Sequence, residues 1–169
     1  MLYKDAKPNK AHYALAELEK QGKCKAVITQ NIDGLHQAAG SKEVLELHGT
    51  VKKNYCMKCH KFYGEEYIMN TSGVPKCDCG GIIKPYVVLY EESLDNDVIE
   101  KAVDYIRHAD VLIIAGTSLT VYPAAGLIDY YRGNKLVLIN KSVTPKDNAA
   151  DLVIHEPVGG TLGEIVLNS

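Results

Sequence analysis

Two things that the sequence lacks limit the partners that the protein can have. There is no excess of basic residues, because 19 Lys and Arg stand against 21 Asp and Glu and the net charge is -2. Proteins that hold polyanions usually carry a positive surplus. There is also no apolar run near the roughly 20 residues that cross a bilayer. We therefore expect neither direct nucleic-acid binding nor membrane association.

We also expect no secretory signal, since the first nine residues contain no long apolar run. We therefore expect a soluble protein in the cytoplasm. The chain has five cysteines, and in a reducing compartment clustered thiols serve metal or redox chemistry more often than disulfides. No thioredoxin-like pattern surrounds these cysteines, which disfavours a redox pair.

Mostly apolar segments with the length of strands alternate with helix-like segments along much of the chain. Asn9 has the position of an N-cap for a first helix that Gly22 would end. Further helices are predicted over residues 95–108 and 123–132, and strands over residues 25–29, 111–115, Leu136–Ile139 and Leu152–Ile154. Because these strands are continuously apolar rather than alternating, we predict an α/β fold with a parallel sheet covered by helices on both faces.

The composition changes after His48. Up to Ile82 the sequence is rich in lysine, holds four of the five cysteines and the pair Gly80-Gly81, and shows little apolar periodicity. A short stretch of this kind cannot bury enough apolar surface for a core of its own. We therefore predict a small lobe, residues 49–91, inserted into an α/β domain made of residues 1–48 and 92–169.

The four clustered cysteines form two closely spaced pairs, Cys56-x2-Cys59 and Cys77-x-Cys79. Four soft ligands on two tight turns suit tetrahedral zinc, and four thiolates leave no coordination position for water or substrate. We therefore predict a structural rather than a catalytic zinc ion. The alternatives are two unrelated thiol pairs or a redox pair. Cys24 lies outside the cluster and is interpreted as an ordinary small residue.

Polar turns directly follow three of the predicted strands. They are Gln30-Asn31-Ile32-Asp33, Gly116-Thr117-Ser118 and Asn140-Lys141. Ligands of parallel sheets bind at the carboxyl ends of the strands, where backbone N–H groups at a helix start can meet phosphate. Each turn alone could be a simple cap. Three of them, on strands expected to share one sheet, predict a nucleotide site.

His48 lies at the junction between the α/β domain and the small lobe, in the sequence Glu46-Leu47-His48-Gly49. A lone histidine is more often structural than catalytic. A cleft between two lobes is nevertheless a favoured place for a site, and an imidazole can act as a base at neutral pH. Taken with Asn31 and Asp33, His48 is therefore a candidate functional residue.

Several motifs occur in a fixed order over nearly the whole chain. They are Thr29-Gln30-Asn31-Ile32-Asp33-Gly34-Leu35-His36, Ala39-Gly40, Glu46-Leu47-His48-Gly49, the cysteine pairs, Lys84-Pro85-x-Val87-Val88, Gly116-Thr117-Ser118-Leu119 and Ile139-Asn140. In these motifs the chain resembles the sirtuins, which are NAD-dependent protein-lysine deacylases. The resemblance implies an incomplete Rossmann-like parallel sheet with an inserted zinc-ribbon lobe, NAD as cosubstrate and a structural Zn²⁺.

The resemblance also implies roles for single residues. His48 would be the general base and Asn31 a second catalytic residue, in a reaction that moves the acyl group from lysine to ADP-ribose and releases nicotinamide. An acylated-lysine protein or peptide would pair with the strand formed by Val87, Val88, Leu89 and Tyr90. Cys56, Cys59, Cys77 and Cys79 would hold the zinc. The NAD contacts would be Gln30, Asn31, Ile32, Asp33, His48, Gly116, Thr117, Ser118, Asn140 and Lys141.

Three departures from the family pattern remain. Tyr86 stands where a small polar residue is usual, and Glu91 stands where glycine often precedes the acidic Glu92. The glycine-rich Gly-Ala-Gly segment that embraces the NAD pyrophosphate is not found before Pro8, so the chain resembles the C-terminal two-thirds of a sirtuin. We therefore expect weak or no activity from this chain alone. The alternative functions are a non-catalytic zinc-containing module that binds acyl-peptides and an NAD-dependent ADP-ribosyltransferase.

Overall fold

The structure, a computed structural model, describes residues 5–89 and 91–168. Its helices are α1 (Lys10–Lys20), α2 (Leu35–Ala38), α3 (Glu65–Met69), α4 (Asn96–His108) and α5 (Val158–Leu167), with 3₁₀ helices at Ala124–Tyr130 and Asp147–Ala149. Its strands are β1 (Val27–Thr29), β2 (Val44–Glu46), β3 (Gly49–Cys56), β4 (Phe62–Gly64), β5 (Ile83–Val87), β6 (Leu112–Ala115), β7 (Leu136–Ile139) and β8 (Leu152–Ile154). Within these ranges no helix combines the length and the apolarity that crossing a bilayer requires.

Side-chain caps begin the two longest helices where the sequence predicts them. The Asn9 side chain accepts hydrogen bonds from the backbone N–H groups of Ala11 and His12 at the start of α1. Asp95 does the same for Asp97 and Val98 at the start of α4. These bonds satisfy N–H groups that have no partner inside the helix, so both predicted helix starts are confirmed.

The parallel strands form two sheets rather than the one that the sequence analysis expects. β1 pairs with β2, and β6, β7 and β8 lie side by side in that order. The strand β2 was not predicted. No described strand joins these two sheets. The predicted parallel strands are thus present, and within the described residues they lie in two sheets rather than one.

Helices cover both faces of the β6–β7–β8 sheet. Leu112 of β6 packs against α4 and the Ala124–Tyr130 helix in one apolar cluster. Val137 of β7 packs against α1 and α5 in another. Leu112 pairs with Leu136, and neighbouring residues of a strand point to opposite faces, so the two clusters lie on opposite sides. The same first cluster includes Leu45 of β2. The predicted α/β fold class is thus confirmed.

The cysteine-containing stretch forms an antiparallel sheet of its own, in the order β4–β3–β5. Its apolar cluster is small, and Cys56 and Cys77 are two of its four buried members, beside Tyr63 and Ile83. So little apolar burial cannot offset the entropy of ordering the stretch. A further stabilising interaction is needed, and the predicted zinc site would provide it. The exact division at residues 48/49 and 91/92 stays a prediction.

The segment predicted as a helix over residues 123–132 is a 3₁₀ helix, Ala124–Tyr130. Gly126 donates to the carbonyl oxygen of Pro123, and Tyr131 donates to that of Ile128, both three residues back. This spacing is that of a 3₁₀ helix. The glycine lowers the preference for a regular α-helix, which gives a reason for the difference.

Replacing Gly49 by alanine is expected to disrupt the pairing of β3 with β5. Gly49 has φ of 73°, and a Cβ there would lie 2.1 Å from the carbonyl oxygen of Tyr86. The left-handed conformation alone costs an alanine about 1–2 kcal/mol, and the overlap adds to this. Urea denaturation should therefore show a free energy of unfolding lowered by more than about 2 kcal/mol.

Gly160→Ala is the matched control for this prediction. Gly160 lies in α5, and a Cβ there would meet no atom within 4 Å. Because alanine favours helix, its free energy of unfolding should stay equal or rise by up to about 1 kcal/mol. Equal stability of the Gly49→Ala protein and the parent would contradict the close approach of β3 and β5.

Candidate active site and metal centre

The four predicted zinc ligands come together in space. Cys56 ends β3, Cys59 lies in the following turn, and Cys77 and Cys79 lie in the turn before β5. Their four sulfur atoms all lie within 4.8 Å of one another. The distances are 3.5 Å from Cys56 to Cys79, 3.5 Å from Cys59 to Cys77 and 3.4 Å from Cys79 to Cys59. Four sulfurs bound to one zinc ion at about 2.3 Å lie about 3.8 Å apart, so the cluster has nearly the required size.

The surroundings of Cys56 and Cys77 lower the pKa of both thiols and so favour the thiolate, the form that binds zinc. The Tyr63 hydroxyl donates to Cys77 Sγ at 3.0 Å, and this bond lowers the pKa of Cys77 to about 6. The backbone N–H of Lys58 donates to Cys56 Sγ at 3.3 Å. A Cβ on Gly81 would lie 2.6 Å from Cys56 Sγ, so only glycine allows this approach. Such outer contacts orient metal ligands.

These observations fit a structural zinc ion. Because all four sulfur atoms lie together, they do not form two unrelated thiol pairs. Among the described residues the cluster consists of the four cysteines alone, and His60 is not one of its members. Four thiolates complete a tetrahedron. Cys24 lies apart, with its Sγ donating to the carbonyl oxygen of Ala26, and burial raises the pKa of its thiol. This agrees with its interpretation as an ordinary small residue. Sequence spacing did not predict the role of Tyr63.

His48 is half-buried just before β3, and one hydrogen bond fixes its ring. Its Nδ1 lies 3.0 Å from the carbonyl oxygen of Gln30. A carbonyl oxygen only accepts, so Nδ1 must carry the proton and donate it. The lone pair of the neutral ring is then on Nε2. This tautomer presents Nε2 as an acceptor, which is the state that a general base requires.

The turn of residues 30–33 is held between β1 and the start of β3. The N–H of Val51 donates to the carbonyl oxygen of Ile32 at 3.0 Å, and the N–H of Asn31 donates to Thr29 Oγ1 at 3.1 Å. Asp33 Oδ1 accepts from the N–H of Leu35 at 2.9 Å and so begins α2. The carbonyl oxygen of Gln30 thus links this turn to His48. Asn31, the next residue of the turn, has an exposed side chain.

The other predicted nucleotide residues lie at the carboxyl ends of β6 and β7. Gly116 has φ of 64° and donates its N–H to the carbonyl oxygen of Ile139 at 3.0 Å, which joins the two strand ends. Thr117 Oγ1 accepts from Leu119, and Asn140 Nδ2 donates to Ser142. Ser118 Oγ lies 2.7 Å from Thr120 Oγ1, and Lys141 is exposed. The side chains of Thr117, Ser118 and Asn140 thus bond to residues two positions further along the chain. Binding of NAD by these residues stays a prediction.

The predicted substrate residues continue directly from β5. Val87 is the last residue of that strand and pairs with Gly49. The N–H of Val88 donates to the carbonyl oxygen of His48 at 3.0 Å. Leu89 is exposed, and its N–H donates to Glu92 Oε2. Tyr90 lies outside the described residues. The regular strand thus ends at Val87, earlier than the predicted segment.

The model of the Sir2 family matches residues 1–123. An NAD-dependent protein deacetylase of Clostridium tetani is 66% identical over 168 residues, which are 98% of this chain and 68% of that protein. A protein of the same name from Saccharolobus solfataricus is 49% identical over 171 residues, covering 97% of this chain and 68% of its relative.

Solved structures agree with the sequence relatives. One, described as Sir2 with a p53 peptide and NAD⁺, has a TM-score of 0.89 and 44% identity, covering 96% of this chain and 70% of its own. Another holds Sir2 with the inhibitor EX-527, 2'-O-acetyl-ADP-ribose and a deacetylated p53 peptide, with a TM-score of 0.90, 44% identity and coverage of 97% and 73%. By its family motifs, its fold and these relatives, the chain belongs to the Sir2 family.

Proposed function

We propose that the chain is an NAD-dependent protein-lysine deacetylase, which transfers the acetyl group of a modified lysine to ADP-ribose and releases nicotinamide. The hydrogen bond from His48 Nδ1 to Gln30 carries this proposal, because it leaves Nε2 free as a base. The 66% identity to the C. tetani protein deacetylase supports the same activity.

The reaction needs one base and two reactants in the same cleft. The acetyl-lysine oxygen attacks the ribose carbon that carries nicotinamide, and nicotinamide leaves with the electrons of the broken bond. His48 Nε2 then takes a proton from a ribose hydroxyl, whose oxygen attacks the acetyl carbon. Water adds to the acetyl carbon, the bond from that carbon to the lysine nitrogen breaks, and the nitrogen takes up a proton, which releases free lysine and acetyl-ADP-ribose. Holding both reactants in place supplies much of the rate acceleration.

The proposed binding roles follow the chain. Asn31 and Asp33 contact nicotinamide, with Asn31 assisting catalysis, and Gln30 lies near the ribose. Ile32 is a further NAD contact of the same turn. The ends of β6 and β7, with Gly116, Thr117, Ser118, Asn140 and Lys141, receive the phosphates and the adenosine. Backbone N–H groups and hydroxyls are suited to that part of the molecule. The contact that joins Gly116 to Ile139 supports this assignment, since it places the two turns side by side.

The acylated peptide adds an extended strand along residues 87–90. Backbone hydrogen bonds then provide affinity for many sequences. Val88 supports this placement, because its N–H already bonds to the backbone of His48 and so brings the segment next to the base. The zinc ion takes no part in the chemistry, and the four cysteines hold it to stabilise the antiparallel sheet from which β5 leads into this segment.

Proteins in the cytoplasm are the proposed substrates, rather than nucleic acids or membranes. Five free cysteines and a zinc site of four thiolates suit a reducing compartment. The net charge of -2 gives no electrostatic attraction for polyanions.

The test is to incubate the chain with NAD and an acetyl-lysine peptide, and to measure nicotinamide and acetyl-ADP-ribose by mass spectrometry. Both products should appear in equal amounts, even where the rate is low, and only with the acetylated peptide. Nicotinamide release with ADP-ribose added to a protein, and no deacetylation, would assign the chain to ADP-ribosyltransferases instead. Binding of the acetylated peptide without any nicotinamide would assign it to non-catalytic binding modules.

A further inference from the structure

Asn54 is a polar side chain in the interior of the antiparallel sheet. Only 1% of its surface is exposed, and a buried amide is costly unless it is hydrogen-bonded. Its Nδ2 lies 3.3 Å from the carbonyl oxygen of Val51 and 3.3 Å from that of Tyr63. Both oxygens can only accept, so the amide must donate one N–H to each. The side chain therefore joins β4 to the irregular part of β3.

The irregular part of β3 is held from outside the β3–β5 ladder. Residues 51–53 have no partner on β5. Val51 is instead bonded at both of its backbone polar groups, because its carbonyl oxygen accepts from Asn54 and its N–H donates to the carbonyl oxygen of Ile32 at 3.0 Å. Ile32 belongs to the turn of residues 30–33. A single residue, Val51, thus separates Asn54 from that turn.

Tyr63 continues the connection to the metal centre. Its carbonyl oxygen accepts from Asn54, and its hydroxyl donates to Cys77 Sγ at 3.0 Å. Tyr63 and Cys77 are both buried, and in such surroundings a hydrogen bond is stronger than in water. Hydrogen bonds through Tyr63 and Asn54 thus lead from the sulfur cluster to Val51, the residue that holds the turn of residues 30–33.

We infer that Asn54 is a positioning residue, which fixes the turn of residues 30–33 against the sheet that carries the zinc site. Because Asn54 is buried inside the sheet, it acts on the turn through Val51 and not on a reactant. The consequence for NAD rests on the proposed function, in which this turn contacts nicotinamide and the ribose. Replacing Asn54 should therefore weaken the binding of NAD rather than that of the acetylated peptide.

Amide hydrogen exchange of Val51, followed by NMR, measures this connection without any cofactor. Asn54→Leu keeps a side chain of similar size and removes both donors, and Asn54→Ser keeps one. The rate is compared with that of the Cys56 amide, which donates to the carbonyl oxygen of Lys61 in the same lobe. A hydrogen-bonded amide exchanges only when its bond opens. The ratio of the two rates should therefore rise about tenfold in Asn54→Leu and less in Asn54→Ser.

Ile83→Val is the matched control. Ile83 is buried in the apolar cluster of the same sheet, and the lost methylene lowers stability without removing any of these hydrogen bonds. Its exchange ratio should equal that of the parent. A ratio in Asn54→Leu that matches the ratio in Ile83→Val would overturn the inference. If Asn54→Leu does not fold, the same comparison is made with Asn54→Ser, and an unchanged ratio there overturns the inference as well.

Calorimetry with NAD and with the acetylated peptide separates positioning of the turn from a general structural role. Asn54→Leu should raise the dissociation constant of NAD about two- to tenfold. Its dissociation constant for the acetylated peptide should stay within about twofold, and metal analysis should still find the zinc content of the parent. Equal losses for NAD and peptide would indicate general damage to the sheet and overturn the inference.

The proposed function fails in a different and recognisable way. If the parent binds neither NAD nor the acetylated peptide, the proposed function falls, while the exchange ratio still decides whether Asn54 fixes the turn. If the parent binds both and the exchange ratio is the same in all proteins, only the role of Asn54 is rejected.

Discussion

Cys56→Ser is expected to abolish zinc binding and to unfold the antiparallel sheet β4–β3–β5. Cys56 is fully buried, and its sulfur lies 3.5 Å from that of Cys79. Structural zinc contributes roughly 10–16 kcal/mol of binding free energy in zinc-finger peptides. The apolar cluster of this sheet has only four buried members, two of them zinc ligands. Little would hold the sheet together without the metal.

Metal analysis should find one zinc ion per parent chain and a small fraction of that in Cys56→Ser. The free energy of unfolding should fall by several kcal/mol, and a strong chelator should produce the same loss in the parent. Cys24→Ser is the control, because Cys24 lies outside the cluster and should leave the zinc content unchanged. A Cys56→Ser protein with one zinc ion and the stability of the parent would remove the basis for a four-thiolate site.

His48→Ala should lower kcat/KM for deacetylation by about 10²–10⁴-fold, the usual contribution of a general base. This corresponds to about 3–5 kcal/mol of transition-state stabilisation. The variant loses Nε2 but keeps the backbone carbonyl that accepts from Val88. The dissociation constant of an acetyl-peptide should therefore change little. The measurement is nicotinamide release at several peptide concentrations, together with anisotropy for peptide binding.

His108→Ala is the matched histidine control. His108 is exposed at the end of α4, where its Nδ1 lies 2.9 Å from the carbonyl oxygen of Asp104. Its removal should leave kcat/KM within about twofold, as for most exposed positions. Similar losses in the two variants would point to general destabilisation. Full activity in His48→Ala would show that another group acts as the base.

The sequence predicts best those features that depend on nearby residues. The strands Leu136–Ile139 and Leu152–Ile154 have the predicted bounds, because both segments are apolar throughout, as is typical of parallel strands. The predicted N-cap Asn9 acts through hydrogen bonds over two or three residues. The cysteine pairs carry their metal preference in their own spacing.

Features that depend on distant backbone partners were missed. Val44–Glu46 forms β2 because its backbone pairs with that of β1, and nothing in its three side chains specifies that partner. The division into two parallel sheets follows from such pairings. The ring of His48 is oriented by a carbonyl oxygen of Gln30, 18 residues away, and every residue has a carbonyl group. The sequence thus indicated His48 as a candidate but not its tautomer.

The pairing of β3 with β5 makes the two ends of the antiparallel sheet less tolerant of insertions and deletions than its middle. Gly49 and Thr50 pair with Val87 and Tyr86, whereas Asn54 pairs with Pro85, so residues 51–53 have no partner on β5. Side chains alternate along a strand, and a single added or deleted residue reverses the face of everything beyond it. At the metal end such a change would turn Cys56 away from the other sulfurs. The bulge in the middle can grow or shrink without reversing either end. Because Lys53 pairs with Gly64 of β4, insertions and deletions in related chains should collect at residues 51–52.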